Sequence, residues 1–241
     1  MNEWALTRKL EGGRLAVHTT QQLAVTLGLG PASARVRLNR LVERGVLARP
    51  LRGRYCLVSA DHLAVAAGIY QPSYVSMLAA FEFHGTTTQA ARIIDVINPV
   101  HSGRMSLNLE SGRFEVRFVK VQGPLMYGYM RVFRNGAAAS VAEKEKAIVD
   151  TILLPGRAPL DEAWACIRTG IDVPKAMDYA RRTGRQSVIK RLGYLLSAAG
   201  LRPGSSKSGR LSRTYVPMDP SLPKRGVFDR DWRVIVNRVI E

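Results

Sequence analysis

The stretch 17–58, VHTTQQLAVTLGLGPASARVRLNRLVERGVLARPLRGRYCLV, constrains the fold more than any other part of the chain. Thr19 stands three residues before Gln22, the spacing of a capping box in which a hydroxyl and an amide each satisfy one open backbone N–H. Leu23, Ala24 and Leu27 give the helix that follows an apolar face, and Gly28–Gly30 end it. Pro31 is placed to open the next helix, where its missing N–H costs nothing. Ala34, Leu38, Leu41 and Val42 then recur at i, i+4, i+7 and i+8 on one face. That leaves Ser33, Arg35, Val36, Arg37 and Arg40 off the core, and Gly45 closes the helix. VLARP and RYCLV read as two short strands joined by LRG, with Gly53 at the turn.

Two helices, a tight glycine turn and a hairpin in this order form the grammar of a winged helix-turn-helix. There the second helix enters the major groove and the hairpin, or wing, lies along the DNA backbone. On that reading Ser33, Arg35, Arg37 and Arg40 face the groove, arginine being suited to guanine. Thr20, Gln21, Arg52 and Arg54 meet phosphate, while Arg44 and Arg49 complete the basic surface. The same arginines would also serve as the wet face of an ordinary amphipathic helix. The cap, the hairpin and a local charge of +7 over residues 1–60 favour the DNA reading.

The whole chain is basic, with 36 Lys and Arg against 19 Asp and Glu, a net +17. Such a field attracts polyanions, nucleic acid first and an acidic membrane surface second. Arginine outnumbers lysine 28 to 8, which suits bidentate contacts to phosphate and guanine, although a GC-rich genome would account for part of it. The charge is uneven: residues 61–160 carry only +2, and residues 161–241 carry +8.

At 241 residues the chain is long enough for one large or two modest domains. Cys56 and Cys166 lack CxxC spacing and read as buried thiols of a reducing compartment. MNEWALTRKL has an acid and a Trp where a signal peptide needs an apolar run, and no stretch approaches the ~18 apolar residues of a membrane span. A cytoplasmic protein without a membrane partner is expected.

Beyond the hairpin, 60–70 reads as a short helix and 71–85 as a longer one. Strands are expected at 91–98, 112–121 and 127–136, the second alternating Phe114, Val116 and Phe118 against Glu115 and Arg117, and the third ending in an Asn-Gly turn. Helices follow at 143–154, 161–170, 172–184 and 185–200, then a basic Gly/Ser-rich loop at 202–213 and a closing strand within 229–237. The fold class is therefore α+β: a winged helix-turn-helix over 1–66, followed by a mixed α+β domain over 67–241.

The second domain offers little chemistry. His18, His62, His84 and His101 are scattered and form no metal motif, so no metal or other cofactor is expected. His84, ending an apolar helix, reads as a structural histidine. A nucleotidyltransferase would pair a Gly-Ser turn with an Asp-x-Asp motif about a dozen residues on. Gly204-Ser205 and Asp229–Asp231 supply the letters, but the interval is twice too long and crosses Pro217, Pro220 and Pro223. Asp229-Arg-Asp reads as a turn before a strand, and the chain as a non-enzyme. Lys146 and Asp150 stand i, i+4 apart and can pair on what reads as a solvated first turn. A loop contacting phosphate through Lys207, Arg210 and Arg213 is a milder reading, and a simply solvated loop the plainer one.

Three later segments share a resemblance. SVAEKEKAIVDTILLP (140–155) resembles the VA-x-x-EK-A-x-x-D segment of the abortive-infection AbiEi antitoxin family. IKRLGYLLSAAG (189–200) is similar to that family's RLGYLLE helix, without its acid. SRTYVPMDPSLPKRGVFDRDWRVIVN (212–237) is similar to its C-terminal stretch, and the amino-terminal winged helix also fits its plan. The resemblance covers residues 15–238.

The resemblance implies an antitoxin of a type IV toxin–antitoxin system, which counteracts a nucleotidyltransferase toxin without needing a stable complex with it. It also implies an autorepressor whose winged helix binds inverted repeats in double-stranded DNA at its own promoter, with a dimer on DNA one possibility. Carried onto this chain, Arg35, Arg37 and Arg40 sit on the reading helix. Arg181, Arg182, Arg185, Lys190 and Arg191 contribute a second basic surface, to which Lys207 and Arg210 would add, and which would meet DNA or RNA, DNA being favoured. The alternatives are a stand-alone winged-helix regulator with a ligand-sensing C-terminal domain, and an enzyme acting on nucleic acid.

Overall fold

A computed structural model describes residues 1–203 and 211–240. The fold is mixed α+β, as expected, and the chain divides into two compact units. The first contains 1–75, 92–126 and 130–141; the second contains 76–91, 127–129 and 142–241. The boundary expected at residue 66 falls inside a helix, His62–Ile69.

The first unit begins with α1 (Glu3–Glu11), to which the sequence reading assigned no element. Asn2 caps it, its side chain accepting from the Ala5 N–H at 2.9 Å. β1 (His18–Thr19), α2 (Thr20–Leu27), α3 (Pro31–Glu43), β2 (Leu47–Leu51) and β3 (Arg54–Leu57) follow. Leu6 and Leu10 of α1 pack with Leu23, Leu38, Leu41, Leu47, Tyr55 and Leu57, so one core joins all three helices to the hairpin. α4 (His62–Ile69) is capped by Asp61, whose other carboxylate oxygen accepts from Arg134 Nε at 2.9 Å.

The remainder of this unit is built on a six-stranded sheet. Its strands are β4 (Tyr74–Ser76), β5 (Ile93–Asn98), β6 (Gly103–Leu109), β7 (Gly112–Lys120), β8 (Tyr129–Arg134) and β9 (Ala137–Ala142), ordered β6-β7-β5-β4-β9-β8. Asn135-Gly136 joins β8 to β9 with both residues at positive φ, the conformation a two-residue hairpin turn requires. On β5 and β7 the register places Asp95 opposite Arg117, and the two form a buried bidentate pair at 2.5 and 2.8 Å. Arg117 is therefore internal, not on an outward face. The helix expected over 71–85 is also corrected. Tyr74–Ser76 is a buried strand, drawn into the sheet by β9 through Val75 opposite Val141, and Met77 (φ 57) turns the chain into α5 (Met77–Phe83).

In the second unit α6 (Lys144–Leu153) is central, packed by α5, α7 (Leu160–Arg168), α8 (Val173–Arg182) and α9 (Gln186–Ala198). A small sheet, β10 (Val216–Pro217), β12 (Val234–Val236) and β11 (Val227–Asp229) in that spatial order, completes it. Gly193 of α9 marks a close approach to this sheet's flanking Trp232. A Cβ there would stand 2.2 Å from Trp232 Cε3, so only glycine lets that indole lie against the helix.

Candidate nucleic-acid interface

The local chemistry of α2 and α3 follows the sequence pattern closely. Thr19 Oγ1 accepts from the Gln22 N–H at 3.1 Å, and Gln22 Oε1 accepts from the Thr19 N–H at 2.7 Å, completing the capping box. Gly28 ends α2 at φ 67, a left-handed position that a side chain would strain. Pro31 opens α3, which buries Ala34, Leu38 and Leu41.

With that face inward, helix geometry sorts the remaining side chains. Ser33, Arg37, Arg40 and Arg44 follow one another at i, i+4, i+7 and i+11 and form one stripe. Arg35 is ~160° around the axis from Arg37, given ~100° per residue, so it lies on the opposite flank. Ser33, Arg35 and Arg40 are exposed and Arg37 is half-buried. Val36, one turn before Arg40, is 54% exposed, an apolar residue on the same outward side that the sequence reading did not single out as a contact.

Thr20, Gln21, Arg52 and Arg54 are brought together. The β2–β3 hairpin pairs Leu47 with Leu57 and Leu51 with Arg54, leaving Arg52-Gly53 as its turn. β1 pairs with β3, placing Thr19 opposite Arg54, and the Thr20 N–H donates to the Gly53 carbonyl at 3.1 Å. The hairpin turn is thus fastened to the first turn of α2. Arg49 and Arg52 are exposed and Arg54 is half-buried.

Arg44 departs from the rest. Its guanidinium forms an ion pair with Glu3 of α1. Among the described residues Arg35, Arg37, Arg40, Arg49, Arg52 and Arg54 have no carboxylate partner. Four of them are exposed and two half-buried around one shared core, and they carry positive charge without a counter-charge.

The second basic set is arranged differently. Lys190 is fully buried, its Nζ donating to the Ser212 carbonyl, Ser212 Oγ and the Thr214 carbonyl at 2.9, 2.8 and 2.5 Å. Burial, helped by nearby Arg233, holds its pKa below the ordinary lysine value. Arg191 is buried too and donates from Nε to the Pro217 carbonyl at 2.9 Å. Neither is a surface group; both fasten the segment leading into β10 to α9. Arg181, Arg182 and Arg185 are exposed, and the Arg182 guanidinium lies 3.8 Å from the Tyr127 ring centre. Lys207 and Arg210 lie outside the described residues, as does most of the expected phosphate-contacting loop.

The expected solvated turn at 143–150 is corrected as well. Lys146 and Asp150 do pair, at 2.6 Å, but both are buried, and Asp150 also accepts from Ser76 Oγ at 2.8 Å. Glu143 accepts from Tyr179 Oη at 2.5 Å and pairs with Lys175 at 2.9 Å. Burial opposes ionisation of Glu143, yet these two partners outweigh it and hold its pKa below the usual range.

Other assignments can be placed directly. His84 Nε2 donates to the Ala142 carbonyl at 2.8 Å, a structural contact. Asp229 accepts from the Trp232 N–H at 2.8 Å, closing the turn before β12. Cys56 and Cys166 are both buried and free, and burial pushes the Cys56 thiol up to about 12. Among the described residues no helix is long and apolar enough to cross a membrane, and no cluster of three or more His, Cys, Asp or Glu is placed to hold a metal ion. Compared with protein-family models the chain matches none, and a search of curated proteins finds no match.

Proposed function

We propose that α1–α3 and the β2–β3 hairpin form a winged helix-turn-helix that binds double-stranded DNA, with α3 entering the major groove. The observation that carries this reading is the unpartnered cationic surface on one small core: Ser33, Arg37 and Arg40 in a single stripe of α3, and Arg52 on a hairpin turn tied to Thr20. Arginines at Arg37 and Arg40 are suited to guanine edges, and Val36 beside them to a thymine methyl. Thr20, Gln21, Arg52 and Arg54 make the phosphate-contacting set, which positions the protein without reading sequence. Arg35, on the far flank of the helix, is assigned to backbone phosphate rather than to a base.

The three segments resembling AbiEi antitoxins support placing this DNA-binding unit in an autorepressing antitoxin of a type IV system, opposing a nucleotidyltransferase toxin. The test is double: titration of the full chain with DNA from upstream of its own gene, and co-expression with the product of the adjoining reading frame. Tight binding to its own upstream DNA over scrambled DNA, and rescue of growth from a toxic neighbour, are the expected results. Equal affinity for both DNAs would contradict sequence reading, and a neighbour without toxicity would contradict the antitoxin role.

A further inference from the structure

We propose that a cavity in the first unit is a binding site for a small phosphate-bearing ligand. The cavity, about 350 Å³, is lined by Arg14, Arg54 and Arg131, with Gln22, Gln71 and Ser140 as neutral hydrogen-bonding groups. Its size is within the range of small-molecule sites. No Asp or Glu lines it.

The three arginines are alike in lacking a counter-charge. Elsewhere in the same unit Arg104 pairs with Glu115, Arg117 with Asp95 and Arg134 with Asp61. Among the described residues Arg14, Arg54 and Arg131 form no ion pair, and the nearest aromatic partner of Arg131 is the Phe133 ring at 6.0 Å. Three like charges around one concavity repel one another, and an oxyanion carrying two or more negative charges relieves that repulsion while accepting paired guanidinium N–H bonds. Phosphate and pyrophosphate groups meet this need better than a monovalent carboxylate.

The site also adjoins the proposed DNA surface. Arg54 opens β3 beside the hairpin turn, and Gln22 is half of the capping box that starts α2. A bound anion therefore cancels positive charge where a DNA phosphate would be met, and ligand and DNA oppose each other. This regulatory half rests on the DNA reading; the binding half does not.

The experiment uses the full chain and two probes, inorganic pyrophosphate and ADP, followed by calorimetry at fixed ionic strength. A saturable single-site isotherm is expected, weakened at least tenfold in Arg14→Gln/Arg131→Gln and largely restored in Arg14→Lys/Arg131→Lys. Arg168→Gln, an exposed arginine of the other unit, controls for general attraction to a basic protein and is expected to bind as the wild type does. ADP binding more tightly than pyrophosphate would identify a nucleotide as the ligand, and equal affinity an inorganic one. No saturable binding, or equal losses in Arg168→Gln and the cavity variant, would overturn the site. In a second arm, saturating ligand is expected to weaken upstream-DNA binding about fivefold at ~0.15 M salt, the worth of one phosphate contact. Unaltered DNA affinity would overturn the coupling, and complete absence of DNA binding would break the DNA reading while leaving the calorimetric result to decide the site.

Discussion

Residues 1–60 and 161–241 carry nearly the same net charge, +7 and +8, yet only the second segment spends cations inside the fold. In the first segment Arg35, Arg40, Arg49 and Arg52 are exposed on a small shared core. In the second, Lys190 and Arg191 are buried and consumed by the Ser212, Thr214 and Pro217 carbonyls, while Arg168, Arg181, Arg182 and Arg185 are exposed, Arg182 over Tyr127. A charge total for a segment therefore does not measure a binding surface. What matters is whether the cation has already been given a partner within the fold.

The largest effect is expected where a buried cation of the second unit is removed, as at Lys146. Lys146→Met leaves Asp150 buried beside Ser76 without its counter-charge, and denaturant unfolding should show a loss of about 3–5 kcal/mol. The double change Lys146→Met/Asp150→Leu should recover most of that loss, because no uncompensated charge remains. A loss below ~1 kcal/mol for the single variant would mean that the pair is not internal. Next in size is Gly193→Ala, expected to cost about 1–3 kcal/mol as the new methyl meets the Trp232 ring. DNA affinity should be unchanged in Gly193→Ala at temperatures where it is folded.

The exposed set should behave in the reverse sense, altering binding without altering stability. Arg40→Ala should weaken upstream-DNA binding by about 1–3 kcal/mol and relax discrimination at one base position. Arg35→Ala and Arg52→Ala should instead weaken all sequences alike and lower the salt slope by about one each. Base-specific loss in Arg35→Ala would return Arg35 to the reading face. The smallest effect is expected at His18, whose pKa burial lowers against an opposing bond to the Leu15 backbone. The unfolded chain takes up that proton first, so stability should be full above pH 6.5 and fall as pH drops below it, less so in His18→Gln.

The helices and hairpin of residues 17–58 could be read from sequence because their signals are local. A capping box, a left-handed glycine, a Pro at a helix start and a repeat of i, i+4, i+7 all act within a few residues. The burial of Lys146, Lys190 and Arg191 was not legible in that way. Charged side chains are exposed by default; Lys190 and Arg191 are internal because carbonyls 22 to 26 residues distant accept their hydrogen bonds, and Lys146 because it pairs with Asp150, which Ser76 also meets from 74 residues away. Tyr74–Ser76 failed for the same reason, since its pairing strand lies more than sixty residues along the chain. The division of α3 into Ser33, Arg37 and Arg40 on one flank and Arg35 on the other follows from ~100° per residue and its apolar face, whereas the pairing of Arg44 with Glu3 depends on how α1 packs and was not legible.

On the proposed function, charge left unpartnered on α3 reads DNA while charge buried in the second unit holds that unit together. This reading is tested most directly by titrating labelled upstream DNA and a scrambled duplex with wild type and Arg37→Ala/Arg40→Ala, each checked for an unchanged unfolding midpoint. The account predicts strong preference for the upstream sequence in the wild type, and a folded double variant that binds both duplexes weakly and equally. A folded double variant that keeps the wild-type affinity and preference would contradict it.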